Sequence, residues 1–271
     1  MGDVTQLVVD SVTKSYEARR RSTRGPALNG VSLTVDRRTR LGIVGESGSG
    51  KSTLGRLLVG LETPTSGTVR IDSTSVSDLS RSARRDFRRR VQLIGQDTTS
   101  SFDPTKTLRD AVRRPAEILL GVGRREADDL VDETLHSVGL TPAHADRRPG
   151  QVSGGQRQRM AIARALIVRP EIIICDEVVS ALDVSVQGTV LNLLKQLCEQ
   201  GGVGMVFISH GLPATAFVSR EIVVMRDGVI VEQGARDAVL HGSTHPYTRQ
   251  LVDAYRGPDH APRARGREVA S

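Results

Sequence analysis

Apolar and polar positions along this chain fall into short runs that predict strands, set apart by longer stretches of helical pattern. Val31-Ser-Leu-Thr-Val35 alternates strictly, and residues 7–12 are rich in valine, so both predict short strands with the Arg/Ser/Gly/Pro stretch 19–26 as a loop between them. Residues 41–44, 172–175, 203–208 and 222–225 are apolar runs, the pattern of strands buried on both faces, and 91–94 is read as a further buried strand. A helix is predicted over 53–61, a turn at Thr63-Pro-Thr-Ser-Gly67, a strand over 68–71 and a basic helix over 81–90. From Thr98 to about Leu166 the pattern is helical, with breaks expected at Pro104, Pro115, Gly121 to Gly123 and Pro149-Gly150. Arg226-Asp-Gly228 predicts a hairpin turn into Val229-Ile-Val231. Strands and helices alternating on either side of a helical insert predict an α/β fold around a largely parallel sheet.

Composition narrows this picture. Of 271 residues, 38% are hydrophobic and only 3% aromatic, so the core has to be aliphatic. No run of about 18 apolar residues exists, and residues 1–10 lack a basic segment followed by a long apolar stretch, so neither a membrane span nor a signal peptide is expected. Cys175 and Cys198 sit in apolar segments without metal-ligand spacing, which predicts a cytoplasmic protein without disulfides. The net charge of +7 comes from arginine clusters at 19–21, 81–90 and 263–267. Such a balance raises the question of nucleic acid or an anionic membrane surface. No aromatic residues interleave the clusters as stacking platforms, so a solvated arginine-rich surface is the better reading and no nucleic-acid partner is expected.

Candidate chemistry starts at Gly45-Glu46-Ser47-Gly48-Ser49-Gly50-Lys51-Ser52-Thr53, which directly follows the predicted strand 41–44 and precedes the predicted helix. In that context the run is a complete phosphate-binding loop. Its glycines free backbone N–H groups to wrap phosphates, Lys51 reaches the β/γ-phosphates, Ser52 can hold Mg²⁺, and the helix adds its positive end. Ile172-Ile-Ile-Cys-Asp176-Glu177 is an apolar strand that delivers two carboxylates to a strand's C-terminal edge. Asp176 suits a Mg²⁺ shell and Glu177 a general base. Val152-Ser153-Gly154-Gly155-Gln156 opens a further helix, predicted over 157–168, with Ser153 at its N-cap and a second N-terminus able to bind phosphate. Taken alone, Ser-Gly-Gly is also simply a flexible turn.

In this order the motifs resemble those of the ATP-binding cassette ATPases, the nucleotide-binding subunits of ABC transporters, over residues 5–250. Gly45 to Thr53 is similar to the family's Walker A loop, Ile172 to Glu177 to its Walker B strand, and Val152 to Gln156 to its signature, with Val in place of the usual Leu. The resemblance implies a P-loop NTPase fold with a RecA-like core (1–97 and 167–240), a small antiparallel β-subdomain, a helical subdomain (98–166) and a C-terminal segment (241–256); the Pro/Gly/Arg-rich composition of 257–271 predicts a disordered basic tail. It places Gln96 in the Q-loop, Ser180-Ala-Leu-Asp183 in the D-loop, His210 at the switch histidine and Tyr16 against adenine. It implies ATP as the bound nucleotide, Mg²⁺ held by Ser52, Gln96 and Asp176, and hydrolysis carried by Glu177, His210, Gln96 and Lys51. It further implies a head-to-tail pair in which Ser153 and Gly155 complete the partner's site. Gly211 follows the histidine where Asp is usual, and Val178 follows the acids where Pro is usual; neither removes a catalytic atom.

Three stretches narrow the resemblance. Gln96-Asp-Thr-Thr-Ser-Ser-Phe-Asp-Pro104, Ser180-Ala-Leu-Asp-Val-Ser-Val-Gln187 and His245-Pro-Tyr-Thr248 are similar to the dipeptide, oligopeptide and nickel importer ATPases. That group implies two permease subunits contacted through Ser100 to Pro104, a second cassette ATPase, an extracellular solute-binding protein acting indirectly, and a place on the cytoplasmic face of the membrane. No cysteines follow the His-Pro-Tyr-Thr run, so no iron–sulfur cluster is expected. An ATPase subunit of a soluble carbon–phosphorus lyase-type complex is the alternative. A DNA-associated cassette is disfavoured, because 98–150 is too short for the coiled coils such proteins insert. His241 and His245 have i, i+4 spacing, but Gly242 and Pro246 argue against a helix that would bring them to one metal.

Overall fold

The computed structural model describes residues 5–16, 25–97 and 100–256. The arginine cluster 19–21, Thr98 and Thr99 of the Q-loop stretch, and the tail 257–271 lie outside the described residues.

Two sheets form the frame. The first has the order β2-β1-β4-β5 and is antiparallel throughout, from β1 (Gln6–Lys14), β2 (Leu28–Asp36), β4 (Ser66–Ile71) and β5 (Thr74–Ser75). The second has six strands in the order β10-β9-β3-β8-β7-β6. They are β3 (Arg40–Val44), β6 (Val91–Ile94), β7 (Ile172–Asp176), β8 (Gly204–Ile208), β9 (Glu221–Arg226) and β10 (Val229–Ala235). All pairings are parallel except the β9–β10 hairpin. β3 and β8 are buried at every position, which explains their unbroken apolar runs; β2 alternates and faces water on one side.

The parallel strands point their C-terminal ends to one edge. β3 leads there into helix α1 (Lys51–Leu58), shorter than the predicted 53–61. Gly60, at φ 66°, ends it, and Leu61 N–H returns to the Arg56 carbonyl, the closing bond of a Schellman turn. Helix α2 (Arg81–Arg90) matches its predicted limits. Its arginines are more than a solvated face. Arg84 donates to the Ser77 and Leu79 carbonyls, Arg85 to Leu119, and Arg90 pairs with Asp72 and Glu171.

The helical block comprises α3 (Leu108–Pro115), α4 (Arg124–Ser137), α5 (Pro142–Ala145) and α6 (Gly154–Leu166). Pro115 does not break its helix. The chain continues as a π-turn over Ala116–Leu120, a wider turn that absorbs the missing N–H, and stops only at Gly121, where φ is 77°. The block's apolar faces share one core with the β6–β7–β8 side of the sheet, through Val112, Leu135, Met160, Ile173 and Phe207. Beneath its surface Arg113, 7% exposed, pairs with Asp110, Glu117 and Asp128. After β7 come α7 (Val184–Gln200), α8 (Leu212–Val218), α9 (Arg236–Gly242) and α10 (Pro246–Arg256). His241 lies in the last turn of α9 and His245 precedes α10, so no single helix carries both.

Candidate functional site

The loop from Gly45 to Gly50 turns the buried strand β3 into α1. Gly45, Gly48 and Gly50 hold φ of 155°, 83° and 102°, values that favour glycine. Space demands it too: a Cβ on Gly45 would run into the Met225 carbonyl, and one on Gly50 into that of Ala27. Gly50 caps α1 with no side chain, and no acidic residue lies in the first turn. The leading N–H groups of the helix are thus left without a side-chain acceptor, the arrangement that receives an anion. Lys51, only 5% exposed, donates to the Gly45 and Glu46 carbonyls at 2.7 Å each and to Ser49 Oγ at 3.3 Å. Burial pushes its ammonium below the usual lysine range, opposed by the nearby Glu177, Asp176 and Glu46 carboxylates.

The acids arrive from β7, two strands away in the sheet. Ser52 Oγ donates to Asp176 Oδ1 at 3.1 Å, which joins the first turn of α1 to the end of β7. Burial pushes the Asp176 carboxyl up, with the Ser52 hydrogen bond working against it. A half-buried carboxylate and a hydroxyl side by side are the hard oxygen donors that Mg²⁺ takes. Glu177 leaves the strand with φ of 52°, in the left-handed region that a bulky residue seldom enters. Its N–H is tied to the Ile208 carbonyl at 2.9 Å, and its own carbonyl accepts from Ser180 N and Oγ. Its side chain meets exposed His210, Nδ1 to Oε1 3.6 Å, from the end of β8. Gln96 reaches the same corner, donating to Ser180 Oγ at 3.4 Å.

The departures at 178 and 211 are absorbed quietly. Val178 is buried, and the Gly211 N–H is held by Ser209 Oγ at 3.0 Å. Tyr16 stands at the loop's other flank, its hydroxyl 3.5 Å from Thr53 Oγ1 and donating to Glu62 at 3.2 Å. Lys14 lies 5.2 Å from the Tyr16 ring centroid and pairs with Glu62 at 2.8 Å.

Ser153, Gly154, Gly155, Gln156 and Asp183 form a second group. The helix there starts at Gly154, three residues before the predicted start. Ser153 accepts from the Gln156 N–H, and the Gln156 side chain accepts from the Ser153 N–H, a reciprocal cap that draws both glycines into the first turn. Gly155 is needed because a Cβ would lie 2.5 Å from Val186 Cγ1 of α7. Ser153 and Asp183 both face solvent.

Several contacts that shape the site join segments far apart in sequence and leave no local pattern. Lys14 and Glu62 steady Tyr16 from separate strands and turns. Gly228 N–H donates to the Ser49 carbonyl at 3.1 Å, and Glu46 N–H to the Tyr247 hydroxyl at 3.0 Å, so the β9–β10 hairpin and α10 both touch the phosphate loop. Of these, only the last involves a residue of a recognisable motif, the His-Pro-Tyr-Thr run.

Comparison with known proteins agrees with this geometry. The family model described as ABC transporter matches residues 28–180. A probable peptide ABC transporter ATP-binding protein of Sinorhizobium fredii is 45% identical over 260 residues, 94% of this chain and 74% of that one. The di/tripeptide transport ATP-binding protein of Pseudomonas aeruginosa is 41% identical over 254 residues, 92% and 79% of the two chains. Among solved structures, a dimeric ATP-binding cassette in a post-hydrolysis state bound to ADP and Pi superimposes with a TM-score of 0.74 at 30% identity, covering 85% of this chain and 98% of that one. With the fold, the family match and relatives of this identity in agreement, the chain belongs to the ABC transporter family, among its ATP-hydrolysing subunits.

Proposed function

We propose that this chain hydrolyses ATP at the Gly45–Thr53 loop and thereby powers a membrane importer whose solute is a peptide. The observation that carries the chemistry is the meeting of Lys51, Ser52, Asp176, Glu177 and His210 at one sheet edge, joined by the contacts described above. Peptide, rather than nickel, is favoured by the names of the relatives at 41 to 45% identity.

In this reading the uncapped N–H groups of α1 receive the phosphates, and Lys51 exchanges its two carbonyl partners for phosphate oxygens. Ser52, Asp176 and Gln96 would hold Mg²⁺, which would supply charge neutralisation on the transferring phosphoryl group. Glu177, set in place by its backbone contacts, accepts the proton of the attacking water; His210 beside it stabilises charge on the phosphoryl oxygens. Tyr16 offers adenine the ring face that Lys14 leaves open. Ser153, Gly154, Gly155 and Gln156, with Asp183, close the site of a second cassette; the exposure of Ser153, Gly154 and Asp183, and the 85% exposure of neighbouring Val184, suits an interface.

The permeases dock beside the Q-loop. A groove of about 670 Å³ there is lined by Ser101, Asp103, Asp110, Arg113 and Arg164, among others. Arg164 shapes its floor, donating to the Ser101 carbonyl at 2.7 Å and lying 4.6 Å from the Phe102 ring centroid. No helix among the described residues is long and apolar enough to cross a membrane. In this reading the permeases hold the chain at the cytoplasmic face. The extracellular solute-binding protein acts only through the permeases. The chain divides into a core (1–97 and 167–240), a helical block that carries the groove and the signature helix (98–166), and a C-terminal segment (241–256).

The test is purification of the full chain from gently solubilised cells. Polytopic subunits and a second cassette should accompany it, with ATPase activity that rises on adding peptide-loaded binding protein. A set of soluble enzymes with no membrane partner would overturn the transport reading.

A further inference from the structure

The His-Pro-Tyr-Thr run has no part in the chemistry described so far, yet it reaches the phosphate loop. Tyr247 lies in the first turn of α10 and is 3% exposed. Its hydroxyl accepts the Glu46 N–H at 3.0 Å. That N–H belongs to the peptide group joining Gly45 to Glu46, and the carbonyl of the same peptide, on Gly45, accepts Lys51 Nζ at 2.7 Å. One peptide plane is therefore gripped at both poles, by the tyrosine on its donor side and by the lysine on its acceptor side. The tyrosine thus sets the orientation of the plane on which the lysine rests.

The tyrosine is itself fixed. The Arg226 guanidinium lies 4.9 Å from its ring centroid. Arg226 ends β9, and the following turn sends the Gly228 N–H to the Ser49 carbonyl at 3.1 Å. Met225, next to Arg226, presents the carbonyl that keeps residue 45 a glycine. The hairpin and α10 thus brace the outer side of the loop at its start and near its end. Burial pushes the Tyr247 phenol above its usual range, which keeps it neutral at working pH.

We propose that Tyr247 is a positioning residue of the phosphate loop: its hydroxyl orients the Gly45–Glu46 peptide and, through it, Lys51. Without the hydroxyl, the half-buried Glu46 N–H loses its protein acceptor and the peptide is free to rotate, so Lys51 no longer starts from one defined place when nucleotide arrives. The inference rests on the reading that the Gly45–Thr53 loop binds the phosphates of ATP.

The experiment is direct ATP binding to the full chain by titration calorimetry, with thermal unfolding alongside. Tyr247→Phe keeps the ring and its contact with Arg226 and removes only the hydroxyl. Its Kd for ATP should rise about tenfold while its Tm stays close to the parent's. Val252→Ala, on the buried side of the same helix, should lower Tm and leave the Kd within twofold. Parental affinity in Tyr247→Phe, with binding lost in Lys51→Ala, overturns the role of Tyr247 alone. Equal losses of affinity in Tyr247→Phe and Val252→Ala reduce it to a structural residue and also overturn it. Unimpaired binding in Lys51→Ala overturns the phosphate-loop reading itself. Should Tyr247→Phe not fold, amide exchange in the parent decides: the Glu46 N–H should exchange as slowly as those of β3, and fast exchange would refute the hydrogen bond.

Discussion

Glu177→Gly should make this protein more stable and nearly inactive. The backbone at 177 sits at φ 52°, a conformation that costs a bulky L-residue about 1–2 kcal/mol. Its surroundings impose that shape: the Ile208 carbonyl holds the N–H, and Ser180 holds the carbonyl from two atoms. Glycine adopts the same φ freely but adds roughly 0.5–1 kcal/mol of chain entropy to be lost on folding. The contact with His210 spans 3.6 Å and involves an exposed imidazole, so its loss is worth about zero. The balance is a gain of roughly 0.5–1 kcal/mol, or a Tm higher by about 2 °C in a chain of this size. Turnover should fall by about 10² to 10⁴, the usual contribution of a general base. Glu177→Gln is the control. It keeps the strained backbone and the shape of the side chain, so it should match the loss of turnover with Tm unchanged. Thermal unfolding and steady-state ATPase assays on the three proteins suffice. A lower Tm in Glu177→Gly would refute the strain argument, and turnover within tenfold of the parent in either variant would refute the role as base.

Three further outcomes are expected. Arg113→Ala leaves Asp110, Glu117 and Asp128 facing one another without their shared, buried cation, and should lower unfolding stability in urea by about 3 kcal/mol. Asp176→Asn should raise the Mg²⁺ needed for half-maximal turnover by at least about tenfold, and stripping the metal with a chelator should stop turnover in the parent. Burial pushes the Cys198 thiol up to about 12 and Cys175 well above its ordinary value, so neither should react with a thiol reagent at pH 8 until denaturant is added.

The readable parts of the fold share one cause. Strands buried on both faces are apolar along their length, so β3, β7, β8 and β9 announced themselves, and the glycine-rich loop after β3 and the acids ending β7 marked the site edge. The phosphate loop was readable because its glycines answer to local backbone demands. What stayed hidden depends on contacts between distant segments. Nothing local at Glu177 signals a left-handed backbone; the Ile208 carbonyl imposes it from another strand. Pro115 predicts a break, and only the π-turn after it shows how the helix continues. The arginines of 81–90 look like a solvated face because their carbonyl and carboxylate partners, Leu119, Asp72 and Glu171, lie far off in sequence. Tyr247 is the sharpest case, since its partner Glu46 is about two hundred residues away.

Ser153 raises a question that a simple truncation would confuse. Its hydroxyl caps α6, accepting from the Gln156 N–H at 3.2 Å, and in the proposed dimer the same helix end meets the partner's nucleotide. Ser153→Ala would lose about 1 kcal/mol of capping along with any phosphate contact, so it cannot tell the two roles apart. Ser153→Asp can. Aspartate caps a helix as well as serine does, and its charge suits the positive end of α6, so stability should hold or rise slightly. The same charge stands where a γ-phosphate would dock and repels it. In a Glu177→Gln background, which slows hydrolysis, ATP should drive the chain, or the chain with its partner cassette, into a dimer resolvable by size-exclusion chromatography. Adding Ser153→Asp should abolish that dimer while Tm stays at or above that of the single variant. Undiminished dimer formation would show that the capped end of α6 faces no phosphate, and Gly155 behind Ser153 would then serve only the packing of α6 on Val186.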